Sequence, residues 1–353
     1  MKYTIFGESH GSAIGVVLEG VPAALELDLE AVQAELDRRA PGKDPTATAR
    51  REEDKVHVLS GLFEGKTTGA PLCMVIQNSD QHSNDYEALR WTPRPSHGDY
   101  AGFIASQGAQ DYRGGGHFSG RLTAPLVAAG AVAKQVLARK NIWVGAHISG
   151  IYGILDKTLD DPEELKPLAD KAFPVLDDAK GEEMRTAILE AKGEEDSVGG
   201  SIECAVVGMP AGFGAPDFGR NVEGVFSQYL FAVPAVKAVG FGAGVGFSYM
   251  RGSEANDPFE VTEEGVRTKT NNAGGVNGGI TNGMPLTFEV TMRPTPSIAR
   301  RQFTVDIAKH ENAVLELTGR HDPCVVHRAV PVIEAAAALA AYALLEGPTF
   351  SFP

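Results

Sequence analysis

Cysteine, long apolar runs and spaced metal ligands are scarce in this sequence of 353 residues. Its three cysteines (Cys73, Cys204 and Cys324) are far apart and odd in number, which disfavours a disulfide framework or a zinc site and is typical of a reducing compartment. No apolar run reaches the ~18 residues that a membrane helix needs, and none precedes the first polar motif at the N-terminus. We therefore expect a cytoplasmic protein with neither a membrane span nor a secretory signal.

The motifs of several common enzyme classes are also missing. The sequence has no G-x-x-x-x-G-K-[ST] motif, which disfavours a P-loop kinase, and no strand–GxGxxG–helix fingerprint. The net charge of −14 disfavours nucleic acid as the main partner. That charge is uneven, because residues 154–196 hold 14 Asp or Glu against 6 Lys or Arg, a pattern typical of solvated helices and turns. Hydrophobic residues at 43% and charged residues at 22% indicate a soluble globular protein.

Parts of the chain resemble one another. SGLFEGKTTGAPL (60–72) and GGVNGGITNGMPL (274–286) share three glycines, a threonine, a proline and a leucine at a constant offset of 214, and each runs into an extended apolar segment. Two further pairs follow the same order along the chain: 12–23 with 201–211, and 121–133 with 328–339. Three pairs in one order indicate an internal duplication.

This duplication predicts a single domain over residues 1–353. Its similar halves span about 1–145 and 197–353, and an acidic helical insert at about 154–196 joins them. Residues 335–345 are apolar on every face, and 125–138 nearly so, which predicts two buried helices. Strand-like segments follow tight Gly/Pro turns, which is typical of antiparallel sheets: KYTIF, AIGVVL, LCMVI, IECAVV and LTFEVTM. We expect an α+β fold, a β-α-β layered sandwich with central helices between two antiparallel sheets and an internal pseudo-two-fold.

Glycine-rich loops carry the residues that could perform chemistry. DYRGGGHFSGR (111–121) combines bare backbone with two arginines, a histidine and a serine, which favours a cradle for an oxyanion over a surface turn. GESHG (7–11) and RPSHGDY (94–100) each place a histidine beside a serine and a glycine. DRRAPGKDPTATARREED (37–54) carries four arginines that could bind a phosphorylated or carboxylated ligand, or could form a solvated loop.

Two more loops lie in the second half. NNAGGVNGGITNG (271–283) would let a flat ligand lie against backbone, or would form a bulged hairpin. TGRHDPCVV (318–326) carries Arg320, His321 and Asp322 before a buried helix, and an Asp-Pro pair also starts helices. If the halves pack face to face, 113–121 and 318–323 would lie close together.

Seven motifs in this order, GESHG, DRRAPG, RPSHGDY, DYRGGG, NNAGG, RPTPS and GRHDPC, resemble the chorismate synthase family across essentially the whole chain. The resemblance implies a carbon–oxygen lyase that converts 5-enolpyruvylshikimate 3-phosphate to chorismate by 1,4-anti elimination of phosphate. This is the last shared step of the shikimate pathway toward the aromatic amino acids. The resemblance also implies a flavoprotein that requires reduced FMN (FMNH2) without net redox change, and a homotetramer.

The resemblance assigns roles to positions. His10 corresponds to the proton donor near the leaving phosphate, His97 to the histidine that stabilises the reduced flavin, and Asp322 to the aspartate that relays a proton near flavin N5. The implied substrate-binding positions are Ser9, Arg39 and Arg121. The implied FMN pocket comprises His117, Phe118, Ser119, Ala235, Gly278, Arg293, Pro294, Thr295, Pro296, Ser297 and Arg320.

Some positions depart from the family pattern. Pro45 stands where an arginine is common, which disfavours NADPH as a direct ligand. The other departures are His117-Phe118 in place of Arg-Ser, Pro234 in place of Asn, Arg293 in place of Lys, Asn272 in place of His, and Ala40 where Arg is often found.

The residues by themselves leave two other function classes open. One is a metal-dependent phosphoesterase that uses His10, His97 and Asp322 and loses activity on chelation. The other is a non-catalytic binding module for an anionic metabolite, in which His10→Ala and Asp322→Asn retain affinity. If the protein is a lyase of this family, we expect its partner to be a small phosphorylated molecule. We expect no resident metal and no binding to nucleic acid or membrane.

Overall fold

The computed structural model describes residues 1–42, 44–47, 54–78, 89–216, 219–263, 265–317 and 321–346. Its helices are α1 (Leu29–Arg39), α2 (Asp99–Ala105), α3 (Thr123–Ala138), α4 (Asp178–Gly193), α5 (Val222–Phe231), α6 (Gly252–Ala255) and α7 (Val326–Leu345), with short 3₁₀ segments at Arg113–Phe118, Gly120–Leu122, Pro162–Asp170 and Gly244–Tyr249. Its strands are β1 (Lys2–Gly7), β2 (Ala13–Glu19), β3 (Val56–Ser60), β4 (Leu62–Phe63), β5 (Lys66–Thr67), β6 (Leu72–Gln77), β7 (Trp143–Ile151), β8 (Ile154–Leu155), β9 (Gly200–Val207), β10 (Val236–Phe241), β11 (Phe259–Thr262), β12 (Gly265–Thr268), β13 (Val276–Asn277), β14 (Ile280–Thr281), β15 (Leu286–Met292), β16 (Gln302–Asp306) and β17 (Glu311–Leu315).

Two larger sheets dominate the strands. One has four strands in the order β1-β2-β6-β3, and the other has five in the order β10-β15-β9-β7-β8. All adjacent strands in both sheets run antiparallel. The remaining strands form the hairpins β4–β5, β11–β12, β13–β14 and β16–β17. The mixed α+β class with antiparallel sheets is therefore confirmed.

The two apolar helices form the centre of the core, as their composition predicts. Helix α3 packs against α7, α3 also contacts β2 and β6, and α7 contacts β7 and β9. Gly130 of α3 lies so close to α7 that a Cβ there would be 2.2 Å from the Cβ of Ala335. Helix α7 is long and apolar enough to cross a membrane, but 83% of its apolar window is buried within the protein. It is a core helix because the surrounding sheets and helices cover it on every side.

Strand sequences match the faces that they bury. In β15, alternate residues point into the core and the residues between them are exposed or half-buried. The buried set is Leu286, Phe288, Val290 and Met292. This alternation has the period of a strand and places one apolar face on the helices.

A buried charge cluster ties three helices together. Glu334 of α7 binds Arg38 of α1 and Lys134 of α3, each at 2.6 Å. Glu35 of α1 also accepts from both cations at 2.8 Å. Burial alone would raise the pKa of Glu334, but Lys134 and Arg38 lower it to about 2. Removing one partner of such a cluster would leave a charge buried without compensation.

The acidic insert (154–196) is only partly solvated, which qualifies the expectation from its charge. Leu165 and Leu168 pack on Ala205 of β9, and Met184 and Ile188 of α4 belong to the main core. Most of its acidic side chains are exposed. The insert therefore covers part of the five-stranded sheet with an apolar face.

Candidate active site

A cavity of about 260 Å³ brings together loops that are far apart in sequence. Eleven of the sequence-predicted site residues line it, namely Arg39, His97, Phe118, Ser119, Arg121, Ala235, Arg293, Thr295, Pro296, Ser297 and Asp322. Gly114, Gly120 and His321 are also in its wall. The loops 113–121 and 321–323 therefore meet at one cavity; residues 318–320 lie outside the described structure.

Three consecutive glycines form one wall. Gly114, Gly115 and Gly116 have φ values of 59°, 84° and 54°, a region that other residues rarely adopt. A Cβ on Gly114 would lie 2.2 Å from the His10 ring, and one on Gly115 would lie 2.9 Å from Cε1 of His97. The bare backbone is required because it packs against both histidines.

His97 lies in a network of charged side chains. Its Nδ1 is 2.6 Å from Asp99 Oδ1 and 3.1 Å from Arg94 Nη2. The shorter contact is to a carboxylate, which can only accept, so Nδ1 carries the hydrogen and Nε2 of the neutral ring carries the lone pair; Arg94, which can only donate, then lies beside Nδ1 without donating to it. Burial lowers the pKa of His97, against the opposing effect of Asp99. Arg94 and His97 in turn hold the pKa of Asp99 well below its usual range, although burial would raise it.

Arg94 also joins this network to the opposite wall. Its Nε and Nη2 donate to the two oxygens of Asp99 at 2.7 and 2.8 Å. Its Nη1 donates to Ser297 Oγ at 3.1 Å. Since Arg94 is only 6% exposed, it fixes the His97 loop against the loop 293–297.

Arg39 and Arg121 share one buried carboxylate. Arg39 Nη1 binds Asp54 Oδ2 at 2.6 Å, and Arg121 Nη1 binds Asp54 Oδ1. Arg121 Nε also donates to Asn78 Oδ1 at 3.1 Å, and Arg39 Nε donates to Thr123 Oγ1 at 3.0 Å. Two guanidiniums held side by side in fixed positions suit a phosphate or carboxylate ligand, because guanidinium forms paired hydrogen bonds to such groups.

The opposite wall contributes a further arginine and a hydroxyl. No carboxylate of the described chain pairs with Arg293, and burial lowers the pKa of its guanidinium. Thr295 Oγ1 is buried without a hydrogen-bond partner among the described residues. Ala235 has a φ of 74° and accepts from the Arg293 amide at 3.0 Å. An uncompensated cation and hydroxyl indicate a polar ligand here, since leaving them bare costs free energy.

Asp322 lies four residues before the last buried helix, α7. Its Oδ2 accepts from Arg328 Nη1, and Arg328 Nε donates to the Arg39 carbonyl at 3.2 Å. Both side chains line the cavity. Arg328 therefore connects the aspartate of the second half to the end of α1.

Other predicted positions lie elsewhere. His10 is 3% exposed and lies with Ser9 against Gly114, behind the cavity wall. His117 is exposed, and its Nδ1 is 3.0 Å from the Gly7 carbonyl. In the part of the chain that the structure describes, the cavity lining does not include His117, Gly278 or Pro294. The predicted flavin residue Arg320 lies outside the described residues.

Sequence reasoning missed Asp54 and Asp99, the carboxylates that organise the arginines and His97. Asp54 ends a charged loop and gave no local signal, whereas Asp99 follows a histidine and a glycine in RPSHGDY and could have been singled out as a possible partner. Among the described residues, no three His, Cys, Asp or Glu side chains come close enough to hold a metal ion.

Comparison with known proteins agrees with the motif pattern. Residues 1–345 match the sequence profile described as chorismate synthase. A chorismate synthase of Dehalococcoides mccartyi is 44% identical over 95% of this chain and 92% of its own length. One of Thermococcus gammatolerans is 46% identical over 95% and 93%. A solved structure titled "Crystal Structure of Chorismate Synthase" has a TM-score of 0.76 and 29% identity over 98% of this chain and 91% of that chain. The chain thus belongs to the chorismate synthase family and is a lyase of that type.

Proposed function

We propose that the cavity between the loops 113–121, 293–297 and 321–323 is the active site in which this enzyme eliminates phosphate from 5-enolpyruvylshikimate 3-phosphate to form chorismate. The observation that carries the proposal is the meeting of Arg39, Arg121, His97 and Asp322 at one cavity. These residues come from three distant parts of the chain, and each has a chemistry that the elimination of an anionic leaving group requires.

The arginines account for binding the substrate. It carries a phosphate and carboxylates, and guanidinium binds such groups through paired hydrogen bonds. Arg39 and Arg121 are held in place by Asp54, so they need not reorganise when the substrate arrives. Ser9, which lies beside His10 behind Gly114, would orient that ring.

The opposite wall fits the flavin that the family implies. Arg293 and the buried Thr295 hydroxyl both lack partners among the described residues and would bind polar groups of FMN, with Ser119, Ala235, Pro296 and Ser297 beside them. Phe118 lines the same wall, is 48% exposed, and could contact a flat ring. NADPH is not proposed as a ligand. When bound, reduced FMN supplies electron density for the loss of phosphate, because the hydrogen that is removed is not acidic.

The protein's own residues manage the protons. Since Nδ1–H of His97 is donated to Asp99, Nε2 can accept a proton when negative charge develops nearby, and the Asp99 carboxylate stabilises the resulting imidazolium. His10 lies behind Gly114 and does not line the cavity, so for it to donate to the departing phosphate the glycine segment would have to move aside. Asp322, held by Arg328, would relay the proton that the substrate ring loses.

The layered, duplicated architecture remains a proposal with direct support. The strand order β1-β2-β6-β3 corresponds to β7-β9-β15-β10. The hairpins β4–β5 and β13–β14 lie at the offset of 214 seen in the sequence. Thr67 Oγ1 donates to the Pro22 carbonyl at 2.5 Å, and Thr281 Oγ1 donates to the Pro210 carbonyl at 2.6 Å. Thr67 and Thr281, which correspond in the two halves, therefore hold corresponding hairpins against corresponding Pro-Ala turns.

We propose that the first of the two similar halves ends slightly before residue 145, the boundary that the sequence suggested. Strand β7 begins at Trp143 and pairs with β9, so it belongs with the second sheet. The first half then ends near residue 142. In this arrangement α3 packs on the first sheet and α7 on the second, with the two helices in contact between them.

A homotetramer in the cytoplasm is also proposed. The hairpin β11–β12 exposes large apolar side chains, with Phe259 at 68%, Val261 at 86% and Val266 at 63%. Such a patch is typical of a protein–protein contact. Light scattering on the purified protein would measure the assembly.

An anaerobic assay tests the function. Photoreduced FMN and the enolpyruvyl phosphate are mixed with enzyme, and chorismate absorbance and phosphate release are recorded. We expect both products only with reduced flavin, no effect of a chelator, and strong loss in Arg121→Gln but not in Arg139→Gln, an exposed arginine at the end of α3. Equal phosphate release without flavin would refute the lyase, and inactivation by chelation would favour the phosphoesterase.

A further inference from the structure

The acidic insert contacts residues 44–45, which follow the substrate-side Arg39 in the chain, through Arg185 and, at 3.5 Å, through Lys192. Arg185 of α4 donates from Nε to Asp44 Oδ2 at 3.1 Å, and the Asp44 side chain is only 5% exposed. Asp44 Oδ1 in turn accepts from the amide and the hydroxyl of Thr46 at 2.9 and 2.6 Å. Pro41, three residues before Asp44, lines the cavity beside Arg39. Arg185 thus anchors the segment that leaves the substrate-side arginine.

Arg185 is itself held firmly. Its guanidinium lies 4.4 Å from the centroid of the Phe173 ring, and the neighbouring Met184 is buried in the main core. A cation stacked on an aromatic ring and paired with a buried carboxylate loses little freedom when it positions another group.

The junction between the insert and the second half (196–198) contacts the flavin side of the same cavity. Ser197 Oγ donates to the Thr295 carbonyl at 2.7 Å. Asp196 Oδ2 accepts from Arg300 Nη1 at 2.7 Å, and the Val198 amide donates to the Pro323 carbonyl at 2.9 Å. The short segment 196–198 therefore fastens the loop 293–300 and the residue that follows Asp322.

We infer that the insert and the junction 196–198 that follows it position the two walls of the active site, with Arg185 of the insert setting the substrate wall and Ser197 of the junction setting the flavin wall. The inference rests on the proposed function, because it uses the assignment of the two walls. Neither residue lines the cavity, so both are positioning residues that act through the loops they hold. Because the two contacts lie on different segments, one on the insert and one just after it, their effects are separable.

Because the two contacts are separate, an experiment can distinguish a positioning role for Arg185 and Ser197 from a general effect on stability. Arg185→Gln removes the charge and weakens the contact with Asp44, and Ser197→Ala removes one donor. Loss of general stability would loosen both walls together, whereas a positioning role affects one wall in each variant. The matched controls are Lys180→Gln on the same helix, whose side chain is 42% exposed, and Ser253→Ala at an exposed serine.

The first measurement is amide hydrogen exchange of the ligand-free protein, followed by mass spectrometry. We expect Arg185→Gln to speed exchange in the peptide covering 41–47 only, and Ser197→Ala to speed it in the peptide covering 293–298 only. Faster exchange in both peptides in both variants, or in neither, would overturn the inference. This readout needs no ligand, so it decides the inference even if the proposed function fails.

The second measurement is binding of oxidised FMN by fluorescence and of inorganic phosphate by calorimetry. We expect Arg185→Gln to weaken phosphate binding about five- to tenfold with FMN unchanged, and Ser197→Ala to weaken FMN binding to a similar extent with phosphate unchanged. Arg185→Lys should restore part of the phosphate affinity. Equal weakening of both ligands in each variant would show a structural role instead. A wild-type protein that binds neither would refute the proposed function while the exchange data still judge the inference.

Discussion

Asp99 Oδ1 lies 2.6 Å from His97 Nδ1, and Arg94 holds that carboxylate from its other side. The carboxylate fixes which ring nitrogen carries hydrogen and which edge of the ring is free. It also makes a positive charge on the ring less costly than burial alone would allow.

Asp99→Asn should keep the ring in place but remove its negative partner. Because Asp99 raises the pKa of His97 against the effect of burial, that pKa should fall further. We expect kcat to drop about 100-fold, as when a general acid or base is impaired. Nitrogen NMR of the ligand-free protein would follow the His97 titration. Asp160→Asn, an exposed control, should change neither, and an unaltered His97 titration in Asp99→Asn would contradict the role of the carboxylate.

Asp54→Asn should leave Arg39 and Arg121 without their shared anion. Removing one partner of a buried ion pair costs about 3–5 kcal/mol, so the melting temperature should fall clearly. Inorganic phosphate should then stabilise the variant more than the wild type, because it replaces the missing negative charge. Thermal melts with and without phosphate would measure this, with the exposed Glu19→Gln as control. A phosphate effect equal in both proteins would speak against an anion site at these arginines.

Gly114→Ala should impair catalysis through His10. The added Cβ would be 2.2 Å from the ring, so either the ring or the glycine segment must move. A displacement of about 1 Å can cost about 100-fold in rate. Gly153→Ala is the matched control, since Gly153 has a φ of 82° but no atom within 4 Å of the new Cβ. Steady-state kinetics and melting curves would separate the two effects, and similar activity in both variants would exclude a need for close contact with His10.

His147→Gln should lose stability in a pH-dependent way. His147 is fully buried between Asp156 at 3.0 Å and Glu203 at 3.1 Å. Burial alone would lower the pKa of His147, but the two carboxylates outweigh it and raise the pKa. The stabilisation is therefore fully present below the unfolded pKa of about 6.5 and is lost as the pH rises through the folded value.

The difference in melting temperature between wild type and His147→Gln should thus be largest near pH 6 and shrink toward pH 9. Burial would raise the pKa of Asp156, but its hydrogen bonds with His147 and backbone amides lower it, so Asp156 keeps its charge across this pH range. Melting curves across this pH range, with the exposed His57→Gln as control, provide the measurement. A difference that grows with pH would reverse the sign and contradict a charged His147.

Much of the fold followed from local pattern. The five strand-like segments correspond to β1, β2, β6, β9 and β15, and the two all-apolar segments are α3 and α7. Strand β7 was missed because its sequence, WVGAHISGI, mixes glycine, serine and histidine with apolar residues. Its outer face is covered by the insert, where His147 meets two carboxylates, and such a pattern has no simple period.

The sequence by itself determined the composition of the glycine and arginine loops, the apolar helices and the family to which they belong, because each of these depends on neighbours along the chain. Only the tertiary structure decided that Asp54 joins Arg39 to Arg121, that His10 lies behind Gly114 and that the insert and the junction after it hold the loops behind the two cavity walls. These contacts join residues that are distant in sequence, and they form only when sheets and helices have packed. Local propensity carries no information about which distant charges will then be buried together.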